Sequence, residues 1–280
     1  MTPVLAFDLG GSKILAALVA GAEVIDRAEV ATARAAGPEA WIGEMGGIAA
    51  AWRGRYGRLG VTVTGLVRGG VWNALNPLTL PIPADYPLAA RLRERLGMAA
   101  VIANDAQAAA WGEFVHGAGR GRDMVFLTVS TGIGGGVVLD GRLVTGRGGL
   151  AGSFGQLGPV AEAGGRAEDV ASGRWIAAEG RAADARAVFA AAAAGDAGAA
   201  GVIAQSAARV GRLCANLQLA FDPEVIVIGG GVGLAPGYLD LVRAGVGGLA
   251  APLRPEIVPA ALGAEAGAIG IAALAAADET

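Results

Sequence analysis

One pattern occurs twice in this chain, and it limits the folds available more than any other feature. Residues 4–7 are an apolar strand, a turn with Asp8, Gly10, Gly11, Ser12 and Lys13 follows, and 14–19 and 23–30 read as two further strands. After a glycine-rich joint at 117–121 the order returns. Residues 123–130 form an apolar strand, Thr131, Gly132, Gly134, Gly135 and Gly136 a second glycine turn, and 137–139 and 142–145 two strands joined at Asp140 and Gly141. Two openings of this kind, each followed by helices and strands, predict an α/β protein of two similar lobes around a central ligand cleft. The expected lobes are residues 1–118 and 119–280, with the last helix free to pack back on the first.

The intervening segments fit that plan. The patterns predict a helix over 38–52, strands at 60–64 and 71–73, a proline-rich passage at 76–87, a helix over 88–96, a buried strand at 100–103 and a helix from Asp105 to about His116. Further helices over 171–178, 182–193 and 199–220 lead to a strand at 225–228 that ends in Gly229, Gly230 and Gly231.

Three glycine clusters therefore follow three apolar strands. Glycine tolerates positive φ and lets backbone N–H groups approach an anion, which suits phosphate binding. Asp8, Ser12 and Lys13 add a carboxylate, a hydroxyl and a cation to the first, although a plain hairpin with a solvated lysine has the same composition. Thr131 adds a hydroxyl to the second. The P-loop pattern is absent, because no Gly-Lys-Ser/Thr run leads into a helix. Asn104 and Asp105 follow a wholly apolar strand, where the carboxyl end of a sheet binds ligands. Asp105 there is either a helix N-cap or a base that takes a proton from an attacking hydroxyl, and the two roles are compatible.

Composition removes other classes. A net charge of −3 with 22 Lys+Arg offers no basic stripe for nucleic acid. With one Cys and one His, neither a disulfide nor a Cys/His zinc cage can be built within the chain. Cys214 fits a small buried hydrophobe and His116 a helix end. The alanine-rich stretch at 182–200 is interrupted by charge and does not read as a membrane span. The start lacks the charged and apolar regions of a signal peptide, so a cytoplasmic protein is expected, working on small molecules as a homodimer.

These residues resemble the ROK family of sugar kinases, nearest to its N-acetylmannosamine branch. The matching stretches run in order over nearly the whole chain: residues 7–13, 74–77, 103–111, 123–137, 145–152, 171–174 and 227–235. The resemblance implies an actin-like ATPase (ribonuclease H-like) fold and an enzyme using ATP and Mg²⁺ to phosphorylate the 6-hydroxyl of N-acetylmannosamine in amino-sugar catabolism. Glucose, N-acetylglucosamine or another hexose is the alternative substrate. By the resemblance Asp8, Gly10, Gly11, Ser12 and Lys13 form the first phosphate segment, with Asp8 near Mg²⁺ through water. Thr131, Gly132, Gly134 and Gly135 form the second, and Gly229, Gly230 and Gly231 border the adenosine. Asn104 and Asp105 hold the sugar, Asp105 accepts the proton, and Glu168 binds hydroxyls near the anomeric end. A sugar-sensing repressor of the family would carry a DNA-binding domain ahead of the first phosphate strand, which begins here at Val4. A non-catalytic sugar-binding protein would not need Asp105.

The departures from the family pattern fall together. Ser153 and Gln156 stand where the family has a sugar-binding Glu and a zinc-linked His, and the loop 158–166 has no cysteine. Thr79 stands where a sugar-contacting Asn is expected near Asn76. Ser and Gln still hydrogen-bond hydroxyls but carry no charge and order no metal. Elemental analysis of the purified protein is therefore expected to find no stoichiometric zinc, with the fold unchanged in chelator; about one tightly bound zinc per chain, lost together with activity on chelation, contradicts this.

Overall fold

The computed structural model describes residues 2–76, 79–158 and 164–278. It contains two compact units, one of Met1–His116, Thr145–Leu150 and Ala264–Thr280, the other of Gly117–Val144 and Ala151–Gly263. The short segment Thr145–Leu150 thus leaves the half that a cut at 118/119 assigns it to. Its Gly149 explains why: the carbonyl accepts from Gln107 Nε2 at 3.2 Å, and a Cβ there would stand 2.6 Å from the Val67 carbonyl oxygen.

The first unit holds β1 (Val4–Leu9), β2 (Lys13–Ala20), β3 (Glu23–Ala31), α1 (Pro38–Ala51), β4 (Arg58–Val63), β5 (Leu66–Arg68), β6 (Val71–Asn73), α2 (Leu88–Leu96), β7 (Val101–Asn104) and α3 (Asp105–Val115). A C-terminal helix, Ala266–Ala277, completes it. The sheet order is β3-β2-β1-β4-β7. β1 pairs antiparallel with β2 and parallel with β4, and β4 parallel with β7. Apart from Asp8, β1 is apolar on both faces and buried, as suits an interior strand, whereas the edge strand β3 alternates exposed and half-buried residues. Phe7, Ile14, Leu18, Trp41, Met45 and Trp72 form the centre of its core.

The second unit repeats the topology. It holds β8 (Met124–Val129), β9 (Ile133–Leu139), β10 (Arg142–Val144), α4 (Ala167–Ala171), α5 (Gly173–Glu179), α6 (Ala185–Ala193), α7 (Ala197–Phe221), β11 (Val225–Gly229), α8 (Gly230–Gly233), α9 (Tyr238–Val246) and β12 (Ile257–Pro259). The order β10-β9-β8-β11-β12 matches the first sheet strand for strand, with β8–β11 and β11–β12 parallel. Cys214 is buried in α7, and burial pushes its thiol up to about 12.

Several boundaries move for local reasons. The helix expected over 171–178 is two short helices, because Ser172 is extended and its hydroxyl accepts from Trp175 N to start α5. Asp184 and Asp196 cap α6 and α7 through their side chains and so fix where each begins. The second glycine turn is shorter than its sequence suggests. β9 begins at Ile133, so Gly134, Gly135 and Gly136 lie in the strand. β5, α9 and β12 were not read from the sequence, although Gly65 and Gly69 flank β5, Pro236 and Gly237 precede α9, and Pro255 precedes β12.

The C-terminal helix crosses α3 through glycine. A Cβ on Gly270 would overlap the Ala108 carbonyl oxygen, and one on Gly112 would stand 2.8 Å from the Ala266 carbonyl oxygen. Neither neighbour is a flexible side chain that can yield. Gly270→Ala is therefore expected to cost at least the about 1–3 kcal/mol typical of overpacking, read as a lowered Tm. Gly43→Ala in α1, with open space around its would-be Cβ, should gain about 0.5–1 kcal/mol instead. Equal melting behaviour of the two variants contradicts this account of the crossing.

Candidate active site

In the first unit the parallel register brings three strand ends level. Asp8 pairs with Thr62 across β1 and β4, and Val63 with Asn104 across β4 and β7. Thr62, fully buried, donates its hydroxyl to Asp8 Oδ1 at 2.8 Å. This polar residue inside a buried strand was the sequence signal for a further site residue, and the glycine-centred reading passed over it.

Asn104, not Asp105, caps α3. Its Oδ1 accepts from Ala106 N at 3.0 Å and Gln107 N at 3.1 Å, and its Nδ2 donates to the Gly65 carbonyl at 3.0 Å. Asp105 is the first helical residue, and its Oδ1 accepts from Ala106 N at 2.8 Å. The capping alternative for Asp105 is thus corrected: the preceding Asn takes the cap, because its extended backbone aims the side chain at the first free N–H groups. Burial, and then the neighbouring Asp8 charge, raise the Asp105 carboxyl to about 7. Burial raises Asp8 as well, opposed by the Thr62 hydroxyl and Lys13.

The first glycine turn joins β1 to β2. Gly10 N donates to the Lys13 carbonyl at 3.0 Å, and Thr32 holds the turn by donating its hydroxyl to Gly10 O at 2.8 Å and its N–H to Ser12 O at 3.0 Å. Ser12 is exposed. Lys13 does not stand free: its Nζ meets Glu29 Oε1 at 2.8 Å on the exposed face of β2 and β3. A Cβ on Gly11 would lie 3.1 Å from Thr79 Cγ2, so Thr79 packs against this turn. Thr79 N donates to the Asn76 carbonyl at 2.9 Å.

The second unit gathers the remaining residues. Thr131 is exposed at the turn, and Gly132 lies against Glu168. Glu168 Oε2 accepts from Ile133 N at 3.3 Å, and Oε1 from Arg174 Nη2 at 2.9 Å. Ser153 precedes and Gln156 ends a 3₁₀ turn, Phe154–Gln156, whose Gly155 packs on Glu168. Gln156 Oε1 accepts from Arg166 Nη1 at 2.8 Å, and Arg166 also forks onto Asp169. Part of the loop 158–166 lies outside the described residues. Gly229 ends β11, and Gly230, with φ 87°, lies against the Val129 carbonyl at the end of β8.

Among these clusters only Gly230 has a positive φ. At the first two turns glycine is needed for space rather than for its backbone range. Gly11 admits Thr79, Gly132 admits Glu168, and Gly135 admits the Phe154 ring. Among the described residues no group of three or more His, Cys, Asp or Glu is placed to hold a metal, and no helix is long and apolar enough to cross a membrane.

Known proteins share this sequence and architecture. Residues 4–278 match the family model described as "ROK family". The bifunctional enzyme NanE/NanK of Brucella melitensis biotype 1 is 52% identical over 98% of this chain and 54% of its own length, so the chain spans about half of that relative. The N-acetylmannosamine kinase of Shigella flexneri is 40% identical over 97% of this chain and 98% of its own. Among solved structures, the ROK hexokinase of Thermus thermophilus superposes with a TM-score of 0.80 at 36% identity, covering 98% of both chains. A ROK family glucokinase from Streptomyces griseus, in complex with glucose and AMPPNP, gives 0.84 at 28% identity over 99% of this chain and 100% of its own. The repeated sheet is that of the actin-like ATPase fold. By sequence over almost its full length and by architecture, the chain belongs to the ROK family.

Proposed function

We propose that this chain is a cytoplasmic, homodimeric kinase that transfers the terminal phosphate of ATP to the 6-hydroxyl of N-acetylmannosamine. The observation that carries the reading is Asp105. Its carboxyl stands at the end of a parallel strand, has been relieved of capping by Asn104, and is tuned to about 7. A base with a pKa near the working pH is ionised often enough to act and basic enough to take a proton. The names of the relatives, N-acetylmannosamine kinase at 40% identity among them, supply the substrate.

In this reading the Asp105 carboxylate accepts the 6-hydroxyl proton as the sugar oxygen bonds to the γ-phosphorus and the bond to the ADP oxygen breaks. Asn104 and the segment of Asn76 and Thr79 orient the sugar, with Ser153, Gln156 and Glu168 as further hydroxyl partners. The turns at Gly10–Gly11 and Thr131–Gly132, with Ser12 and Lys13, hold phosphates, and Gly229, Gly230 and Gly231 border the adenosine. Asp8 suits Mg²⁺ held through water, since its oxygens are hard donors and this ion is usually bound by one or two carboxylates while keeping several waters. When bound, Mg²⁺ offsets phosphate charge.

Kinase activity on another hexose is the second reading. It is favoured by Gln156, whose Oε1 is already engaged by Arg166, and by the uncharged Ser153.

Two measurements test the proposal. Asp105→Asn is expected to lower phosphoryl transfer by about 10²–10⁴-fold while ATP binding stays near the parent value. In the parent, kcat/KM for the sugar should fall on the acid side of about pH 7, where the raised carboxyl is protonated, and level off above it. Turnover by the variant close to the parent rate, or a flat profile from pH 5 to 8, contradicts the role of Asp105. A coupled ADP-release assay over a hexose panel should give N-acetylmannosamine the highest kcat/KM; equal or better values for glucose leave the reaction class and remove the substrate.

A further inference from the structure

Beside the Thr131–Gly132 turn lies a charge pair that the reading above leaves half used. Glu168 is held on the turn itself, its Oε2 accepting from Ile133 N at 3.3 Å, and a Cβ on Gly132 would run into that same oxygen. Its side chain is only 17% exposed. A carboxylate in that position opposes any anion entering the turn, and partial burial keeps the repulsion from being screened as it would be in water.

Arg174 answers that charge. Its Nη2 donates to Glu168 Oε1 at 2.9 Å and would stand 4.0 Å from the same Cβ on Gly132. Its backbone is tied to the turn, with Gly173 N donating to the Ser130 carbonyl at 2.7 Å and Arg174 N to the Thr131 carbonyl at 3.2 Å. These bonds set the Arg174 side chain out beside the turn. With its side chain 51% exposed and five N–H donors, it does not exhaust its fork on Glu168.

We infer that Arg174 is the counter-charge that lets the Thr131–Gly132 turn accept a nucleotide phosphate, by cancelling the Glu168 carboxylate packed against it. The inference rests on the nucleotide reading of that turn. Lys13, the cation at the first turn, is paired with Glu29 on an exposed sheet face, which leaves Arg174 as the cation whose position is set by a phosphate turn's own carbonyls. An ion pair that merely braced α4 to α5 would affect stability. It would not distinguish ligands by their number of phosphates.

Calorimetric titration of the full chain with ATP, ADP and AMP in the presence of Mg²⁺ tests this. In the parent, ATP should bind more tightly than AMP. Arg174→Met is expected to weaken ATP on the order of tenfold, ADP less, and AMP not at all, while Arg174→Lys keeps most of the ATP affinity. Adding Glu168→Gln to Arg174→Met should restore most of the lost ATP affinity, since both charges are then gone. Equal losses for all three nucleotides, undiminished ATP binding, or a double variant no better than the single one overturns the inference while leaving the nucleotide reading intact. A parent that does not separate ATP from AMP overturns both.

Discussion

Parallel pairing of β1, β4 and β7 is the constraint on which the first unit's chemistry depends. Hydrogen-bonded register, not any side chain, sets Asp8 opposite Thr62 and Val63 opposite Asn104. A shift of one residue would turn every side chain to the other face and send Asp8 away from the Thr62 hydroxyl. The strands hold that register because they are buried on both faces, with Phe7, Val61 and Val63 fully covered. The helix that follows β7 inherits its starting point from the same ladder, and so the position of Asp105 is inherited too.

Charge management follows from that geometry. Two half-buried carboxylates near each other are costly, and the first unit accommodates them by raising both pKa values instead of pairing each with a cation. The second unit solves a similar problem differently, placing an arginine against Glu168. A carboxyl that must exchange a proton benefits from the first arrangement. Glycine serves both, since close approach of Thr79, Glu168 and Phe154 to the turns requires missing Cβ atoms.

Much of this was legible in the chain. The doubled strand-turn-meander pattern foretold two sheets of the same order, because alternation and apolar runs are local signals that survive folding. The residues Asp8, Asn104, Asp105 and the glycine clusters announced themselves by standing at the ends of apolar strands. What the sequence hid were partnerships between distant segments. Nothing local says that Lys13 would meet Glu29 or that Thr32 would hold the first turn; the Asn104 cap is local, but Asn and Asp cap helices about equally well, so the sequence did not choose between positions 104 and 105. Thr62 was visible as a polar residue in a buried strand, yet its bond to Asp8 spans 54 positions.

By itself, then, the sequence determined the element types, the repeat, the family and the identity of the carboxylates, since each is encoded in residue spacing within a few turns of chain. Tertiary structure alone decided the state of those groups. Protonation near pH 7 at Asp105 comes from burial and from Asp8, 97 positions earlier, and Glu168 is held on the second turn by Ile133 N, 35 positions before it. Burial and field act through space. They have no counterpart in the order of residues until the chain has folded.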